Sequence, residues 1–173
     1  MGWRGSRTSM HRMAGLIVRR ARPEEFHIAT DFWAAMRSEL AMSKDHLPAD
    51  WSARALAYWN RRHEAEELAW FFACDGPRIV AGATGFIDDG YPRDIATARR
   101  VGYVAGVYVA PSYRRRGLAR AVTQAAVDFL WEMGCERITL HAAELARPIY
   151  ESMGFAAGNE MVLYRSDGAR PNR

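Results

Sequence analysis

A strand that leads directly into an arginine-rich turn and a long helix constrains the fold of this chain more than any other stretch. Residues Tyr103–Ala119 read YVAGVYVAPSYRRRGLA. The side chains before Pro111 predict a strand covered on both faces, because most are β-branched, aromatic or small: Val104, Ala105, Val107, Tyr108 and Val109. After Gly117, apolar residues recur at helical spacing up to Gly134: Leu118, Ala119, Val122, Ala126, Phe129, Leu130 and Met133.

The start of this predicted helix is suited to bind a phosphate. The first N–H groups of a helix have no partner within it, and the helix dipole adds a partial positive charge. Gly117 lets a phosphate approach the backbone where a Cβ would obstruct it, and Ala119 keeps the next turn small. Taken alone, Arg114–Arg116 would also suit a solvated charge run that precedes a helix. The context of the loop therefore decides between the two interpretations.

The same stretch resembles the GNAT superfamily of acyl-CoA-dependent N-acetyltransferases. The family's signature is Gln or Arg, two residues, Gly, one residue, then Gly or Ala, and residues 114–119 (RRRGLA) match it completely. A second signature is Ala, three residues, Tyr, three residues and Gly-Phe. It is matched within residues 145–155 (LARPIYESMGF) by Ala146, Tyr150, Gly154 and Phe155. A strand predicted at Arg137–His141 separates the two motifs at the family's spacing.

The other patterns along the chain complete a single domain. They predict strands at Leu16–Arg20, Leu68–Cys74, Arg78–Ile87 and Glu160–Arg165, with helices from Pro23 to about Met42 and from about Ala49 to Glu67. The resulting order, β-α-α-β-β-β-α-β-α-β, is that of the GNAT fold: an α/β domain with one mixed, partly parallel sheet flanked by helices. We expect a flexible basic extension over residues 1–14, the domain over 15–166 and a tail over 167–173. Met10 or Met13 would also suit a natural start.

The resemblance implies direct transfer of an acetyl group from acetyl-CoA, as co-substrate, to an amine, with no metal. The main chain of Val107–Val109 would pair with the pantetheine arm like an added strand, and an amide near Val109 would stabilise the oxyanion. Tyr150 would protonate the leaving thiolate as general acid; the alternative is a packing tyrosine with a solvated hydroxyl. The residues assigned to cofactor binding are Val107, Tyr108, Val109, Arg114, Arg115, Arg116, Gly117, Leu118, Ala119 and Arg120.

One position departs from the family pattern. Many members carry an asparagine seven residues before the catalytic tyrosine, where it hydrogen-bonds the cofactor, and here that position is Ala143. A methyl group cannot make that bond, so we expect backbone groups or another side chain to hold the pantetheine arm. Gly154 and Phe155 are expected to be structural, with the glycine ending the helix and the phenylalanine entering the core.

Composition fits one globular domain. The 173 residues are 49% hydrophobic and 25% charged, and no run approaches the roughly 20 apolar residues of a membrane span. The N-terminal residues are polar and arginine-bearing rather than signal-like. Cys74 and Cys135 fall in elements predicted to be buried, so we expect core thiols and a cytoplasmic protein.

Two other classes of phosphate-binding or basic protein fit poorly. The net charge of +4 arises mostly from residues 1–22, which hold six arginines and no acid, so the body lacks the basic stripe of a nucleic-acid-binding module. A P-loop NTPase needs Lys and then Ser or Thr after its glycine-rich loop, whereas Leu118 and Ala119 follow Gly117 here. A GNAT-like domain that binds acyl-CoA as a sensor, without turnover, remains an alternative.

The acceptor amine is the least specified part of the prediction. Phe32, Trp33 and Trp51, with acids nearby at Glu39, Asp45 and Asp50, would suit a small cationic molecule with an apolar part. A protein N-terminus or lysine is the alternative acceptor. Glu39, Asp88 and Asp89 are candidates for a base or an amine-binding group, and Trp59 and Trp70 for core or pocket wall. For partners we expect a small-molecule amine, no nucleic acid and no membrane, and leave a homodimer open.

Overall fold

The computed structural model describes residues 11–13, 15–39, 47–88 and 100–158. Six strands in this part of the chain form one sheet, in the order in which they occur along the sequence. The strands are β1 (His11–Met13), β2 (Leu16–Arg20), β3 (Leu68–Asp75), β4 (Arg78–Asp88), β5 (Arg100–Val109) and β6 (Cys135–Thr139). The helices are α1 (Phe26–Glu39), α2 (Trp51–Glu64), α3 (Leu118–Glu132) and α4 (Arg147–Glu151).

The sheet is mixed, as predicted. Strands β1 to β5 pair antiparallel, whereas β5 and β6 pair parallel because α3 carries the chain back between them. The predicted α/β class, with one partly parallel sheet flanked by helices, is therefore confirmed. No helix in the described ranges is long and apolar enough to cross a membrane.

Two apolar layers enclose the sheet. Alternate residues of β3 point to opposite faces: Ala69 and Ala73 join a cluster with α3, while Trp70 and Phe72 join a second cluster with α1. The buried stripe of α3 supplies the first layer and largely follows the predicted helical spacing: Leu118, Val122, Thr123, Ala125, Ala126, Val127, Phe129 and Leu130. Helix α2 contributes Leu56 and Trp59, partly buried, to the second layer.

Most element boundaries lie near the predicted ones, with three differences. The strand predicted at Arg137–His141 is wrong by two residues, because it begins directly after the Gly134 turn and ends at Thr139. Helix α1 is preceded by a separate 3₁₀ turn at Pro23–Glu25. Strand β1 pairs with β2, so the sheet begins inside the segment expected to be a flexible extension. The predicted strand Glu160–Arg165 and the tail 167–173 lie outside the described residues.

Strand β5 has neighbours on both faces, as expected, but most of its last residues are less buried than those of β3 and β4. Strands β3 and β4 are buried nearly throughout, whereas Ala105, Val107 and Tyr108 of β5 are only partly buried. Both faces have neighbours, since Val107 packs against the α3 layer and Tyr108 against Phe32. The exposure therefore arises at the edge that β6 leaves unpaired after Tyr103 with Thr139. Apolar composition marked β5 as a strand but carried no information about where its neighbour ends.

A β-bulge at Gly106 reverses the alternation of side chains along β5. Gly82 pairs with Tyr108 but Thr84 pairs with Ala105, so β5 has one residue more than β4 at this point. Gly106 has a φ of +63°, and a Cβ placed on it would lie 2.5 Å from Cη2 of Trp70. Only glycine combines that dihedral angle with that close approach.

The bulge determines which side chains of β5 face which layer. Val104 and Val109 both join the α3 layer although they are five residues apart, which an unbroken alternation would forbid. Tyr108 is thereby turned to the opposite face, where its ring lies 5.0 Å from that of Phe32 of α1.

Candidate functional site

Among the described residues, no strand pairs with one edge of β5 where the chain approaches the arginine-rich turn, and we call this the open edge of β5. Beyond the pair of Tyr103 with Thr139, residues 104–109 have no pairing with β6, although they remain paired with β4 on the other side. An exposed strand edge offers N–H and C=O groups in the pattern that an extended ligand can match. The predicted cofactor residues Val107, Tyr108 and Val109 lie on this edge.

The open edge ends at a turn that presents backbone N–H groups. A 3₁₀ turn at Pro111–Tyr113 follows β5, and Gly117, with a φ of +76°, is the N-cap of α3. Within the described chain, the first N–H of this helix to donate to a carbonyl is that of Ala121, to Gly117 at 3.1 Å. The N–H groups of the three residues before Ala121 thus lie at the positive end of the helix, as an anion site requires.

The backbone of this turn adopts a conformation that is uncommon for side-chain-bearing residues. Arg115 has a φ of +62°, in the left-handed region, and Gly117 returns to that region two residues later. Strain of this kind is concentrated at functional sites, where the surrounding structure holds it. The exposed Arg115 and Arg116 extend from this turn, and Arg116 lies over the ring of Tyr113 at 5.2 Å.

The other two predicted arginines direct their side chains elsewhere. Arg114 donates through Nε to the carbonyl of Val109 at 3.0 Å and through one terminal nitrogen to Glu39. Arg120 donates to the carbonyl and the hydroxyl of Ser152, at 3.2 and 2.8 Å. Each guanidinium therefore connects two elements that border the turn, while the Arg120 backbone stays within the first turn of α3.

Tyr150 lies on the short helix α4 and is largely buried. Its residue exposure is 7%, and its ring lies 6.1 Å from Phe155, edge to face. Burial raises the pKa of the Tyr150 phenol above its usual value of 10.0. The hydroxyl consequently keeps its proton through the neutral range and makes no hydrogen bond with any other described residue.

Phe155 and Gly154 have the structural roles that were predicted. Gly154 adopts a φ of +94° where α4 ends, and the backbone N–H of Phe155 donates to the carbonyl of Tyr150 at 3.1 Å. Phe155 packs against the α3 layer. The turn after α4 thus fixes the helix that carries Tyr150.

A polar cluster with an aromatic neighbour lies on the α1 side of β5. Glu39, the last residue of α1, accepts from Arg114 at 2.8 and 2.7 Å and from the Tyr108 hydroxyl at 3.3 Å. Burial, together with the negative charge of Glu39, raises the pKa of Tyr108, so this phenol remains a donor. Phe32 packs on the Tyr108 ring. The cluster joins the end of α1 to the end of β5.

The tryptophans divide between the core and a more open surface. Trp70 is 2% exposed and packs edge-on against Trp59 at 5.1 Å, which makes Trp70 a core residue. Trp33 and Trp51 are both partly buried and lie 4.7 Å apart, where they hold α1 against α2.

The carboxylates named as candidates are not equivalent. Asp50 pairs with Arg54 at 2.9 Å on the exposed start of α2, which lowers the pKa of Asp50. Asp88 is the exposed end of β4, while Asp45 and Asp89 lie outside the described residues. Glu39 is the candidate that contacts a residue of the open strand edge. Cys74 and Cys135 are free and buried, as predicted.

Sequence reasoning missed a contact at the point where β5 and β6 separate. The hydroxyl of Tyr103, in the last β5–β6 pair, is hydrogen-bonded to Nδ1 of His141, just beyond β6. A hydrogen bond between residues 38 positions apart leaves no local signal. Ala143, the departure from the motif, is exposed and accepts backbone bonds from Ala146 and Arg147.

Comparison with protein families identifies one match over most of this site. The model of the acetyltransferase (GNAT) family matches residues 30–155, which run from within α1 to the turn after α4. This range includes the open edge of β5, the Gly117 turn and Tyr150.

Individual relatives carry related names. The chain is 35% identical over 80 residues to a glucosamine 6-phosphate N-acetyltransferase of Trypanosoma brucei brucei, covering 46% of this chain and only about half (52%) of that relative's length. It is 25% identical over 142 residues to an aminoglycoside N(6')-acetyltransferase type 1 of Salmonella typhimurium, covering 78% of this chain and 90% of the relative.

A solved structure supports the fold. A predicted acetyltransferase from Clostridium acetobutylicum, crystallised with acetyl-CoA, superposes with a TM-score of 0.77 at 21% identity. The superposition covers 87% of this chain and 96% of that one.

Proposed function

Because the chain belongs to the GNAT family of acetyltransferases, we propose that it moves an acetyl group from acetyl-CoA directly to a primary amine of a small molecule. The observation that carries this proposal is the continuity of the open β5 edge with the Gly117 turn. The edge suits an extended amide-bearing chain, the turn suits a diphosphate, and acetyl-CoA has these two parts in that order. The acetyl-CoA in the related Clostridium structure supports the same donor.

The cofactor is bound mainly by backbone groups in this proposal. The pyrophosphate lies against the N–H groups at the start of α3, with Arg115 and Arg116 adding charge from the same turn. The pantetheine arm pairs with Val107–Val109, and an amide of that stretch donates to the oxyanion of the tetrahedral intermediate. Backbone pairing also explains how the pantetheine arm can be held although Ala143 stands where many family members carry an asparagine, since no side-chain amide is needed there.

Tyr150 supplies the proton for the departing thiolate. The raised pKa of its buried phenol keeps the proton in place until the thiolate forms beside it. An ordinary thiol has a pKa of about 8.5 and an ordinary phenol one of about 10, so the proton transfer is uphill by roughly 1.5 units, a gap that burial of the phenol widens. The breaking of the C–S bond drives the transfer. The transfer needs no covalent enzyme intermediate: the amine attacks the thioester carbonyl, the C–S bond breaks, and the thiolate leaves as a thiol.

Glu39 binds the acceptor and receives its proton. An ammonium must be deprotonated before it attacks, and Glu39 is a carboxylate held beside Tyr108 of the cofactor strand. Its side chain is 41% exposed, so it retains room to accept a further hydrogen bond while Arg114 orients it. Phe32 and Tyr108 provide an apolar and aromatic surface next to this charge.

The acceptor class follows from this surface and from the relatives. A single carboxylate next to an aromatic pair suits a small amine with an apolar portion, and two relatives are named for small amines, an amino sugar phosphate and aminoglycosides. Acetylation of a protein N-terminus or lysine, and acyl-CoA binding without turnover, are the alternatives that the experiment must separate.

The experiment is a measurement of thiol release from acetyl-CoA against a panel of acceptors. The panel contains amino sugars, their phosphates, aminoglycosides, aralkylamines, and peptides with a free N-terminus or one lysine. We expect acceptor-dependent release with a small amine and acetylated product by mass spectrometry. Turnover only with peptides would show that the acceptor is a protein amine and not a small molecule. Tight acetyl-CoA binding without turnover on any amine would favour a domain that senses acyl-CoA.

A further inference from the structure

The side chain of Arg120 joins the cofactor helix to the helix that carries Tyr150. Arg120 is the third residue of α3, and its guanidinium donates to Ser152, two residues beyond Tyr150. Both acceptors on Ser152, the carbonyl and the hydroxyl, are used by the same terminal nitrogen. The sequence analysis assigned Arg120, the residue after the motif, to cofactor binding, but its guanidinium points to the end of α4.

Helix α4 is too short to hold its own orientation. It has five residues, and an isolated helix of that length is unstable in water. Its end is tied together around Ser152, whose hydroxyl donates to the carbonyl of Ile149 at 2.6 Å and whose N–H donates to Pro148 at 3.1 Å. Arg120 places a positive charge on the terminal carbonyl of this turn, where the helix dipole favours a cation.

We propose that Arg120 is a positioning residue that fixes Tyr150 relative to the start of α3. Its backbone lies in the first turn of α3, against the proposed pyrophosphate, while its side chain fixes the end of α4. Arg120 alone would then fix the distance between the bound diphosphate and the Tyr150 phenol. This inference rests on the proposed function, because it requires Tyr150 to be the acid and the first turn of α3 to bind the diphosphate.

Two simpler roles make different predictions. If the Arg120 guanidinium were a phosphate ligand, removing it would weaken acetyl-CoA binding and reduce the salt dependence of binding. If it only stabilised the fold, its removal would lower the melting temperature and would reduce kcat by the same factor whether or not Tyr150 carries its hydroxyl. A positioning role instead lowers kcat, leaves acetyl-CoA affinity nearly unchanged, and acts only when Tyr150 can donate a proton.

The test is a double-mutant cycle of Arg120→Met with Tyr150→Phe, measured by kcat and by calorimetric titration of acetyl-CoA. Methionine keeps much of the apolar stem of Arg120 and removes its donors. We expect Arg120→Met to lower kcat by about 10-fold or more, since a misplaced catalytic group is costly, with an acetyl-CoA Kd within about 3-fold of wild type. In the Tyr150→Phe background the same substitution should cause no further loss of kcat.

Two further variants keep the test decisive. Ser152→Ala removes the hydroxyl that accepts from Arg120 and, with it, the donor to the Ile149 carbonyl, but leaves the Ser152 carbonyl as an acceptor for Arg120. It should lower kcat less than Arg120→Met, again only when Tyr150 can donate a proton, and it replaces Arg120→Met if that variant folds poorly. Arg78→Met, an exposed arginine at the turn between β3 and β4, should leave kcat and Kd at wild-type values.

Three results would overturn the positioning role. The first is a wild-type kcat in Arg120→Met when Tyr150→Phe is impaired. The second is a loss of kcat from Arg120→Met that is equally large with and without the Tyr150 hydroxyl. The third is an effect of Arg120→Met mainly on the acetyl-CoA Kd and not on kcat. A wild-type kcat in Tyr150→Phe would overturn the acid role itself and this inference with it.

Discussion

One terminal nitrogen of Arg114 lies 2.8 and 2.7 Å from the two carboxylate oxygens of Glu39, although the residues are 75 positions apart. The same guanidinium donates to the carbonyl of Val109, so α1, the end of β5 and the arginine turn meet at one ion pair. Exposed ion pairs contribute little to stability, generally below about 1 kcal/mol. The ion pair between Arg114 and Glu39 instead fixes the Glu39 carboxylate beside β5.

Glu39→Gln tests that role. The amide can retain a hydrogen bond to Arg114 but has lost the charge that binds an ammonium and takes its proton, so kcat/KM for the amine should fall on the order of 10²-fold. The acetyl-CoA Kd should stay at its wild-type value. Asp50→Asn is the matched control, because Asp50 is also exposed and paired with an arginine. Equal effects of the two substitutions would count against Glu39.

Gly117→Asp tests the diphosphate site. A carboxylate at the helix start would oppose the pyrophosphate, and acetyl-CoA affinity should fall on the order of 10²–10³-fold. The φ of +76° strains most side chains at this position, including that of alanine, which is therefore a poor control. Gly117→Asn is better, since asparagine tolerates that conformation and differs from aspartate mainly in charge. Calorimetric titration should show the asparagine variant binding clearly tighter; equal affinities would contradict a charge effect.

Gly106→Ala tests the bulge that orients the end of β5. The added methyl group would lie 2.5 Å from the Trp70 indole, within the buried layer under α1. Gly76→Ala has a similar left-handed φ of +54° but no atom within 4 Å of its added Cβ. We expect the control to cost about 1 kcal/mol in the free energy of unfolding from backbone strain, and Gly106→Ala to cost roughly 2–4 kcal/mol. Similar values for the two from denaturant unfolding would show that the Trp70 contact is unimportant.

The ion pair beneath α1 predicts a specific dependence of stability on pH. Hydrogen bonds from Arg19, and from the Arg22 backbone, lower the pKa of the buried Glu25 from 4.5 to about 2. The stabilisation is therefore complete above about pH 4.5 and is lost as pH falls through about 2, amounting to roughly 3 kcal/mol at most.

Urea unfolding of Glu25→Gln at pH 7 and pH 2.5 measures this contribution. The difference in unfolding free energy from wild type should be large at pH 7 and clearly smaller at pH 2.5. Glu24→Gln, at an exposed neighbouring position, should show little difference at either pH. A difference for Glu25→Gln that does not change with pH would contradict the ion-pair origin.

Local signals explain what could be predicted from the sequence. Pro111, Gly117 and the apolar stripe of α3 lie close together along the chain, so they determine the strand end, the turn and the helix without information from elsewhere. The same holds for the turn at Gly154 that completes the second motif. The fold class therefore agrees with the sequence analysis, and the motif residues lie on the elements on which they were predicted.

Contacts between distant segments account for what could not be predicted. The bulge at Gly106 is explained only by Trp70 on β3, and the exposure of β5 only by the end of its pairing at Thr139. The directions of the Arg114 and Arg120 side chains depend on Glu39 and Ser152, which the motif does not include. A motif specifies residue types and backbone positions, whereas the partners of long side chains are set by the assembled fold.

The central claim is that the Tyr150 phenol protonates the departing thiolate, and Tyr150→Phe measures it most directly. The substitution keeps the ring that packs on Phe155 and removes the only proton that the side chain can donate. We predict a kcat lower by on the order of 10²–10⁴-fold in steady-state acetylation, with an unchanged acetyl-CoA Kd and melting temperature. A wild-type kcat in a folded variant that binds acetyl-CoA normally would contradict the account.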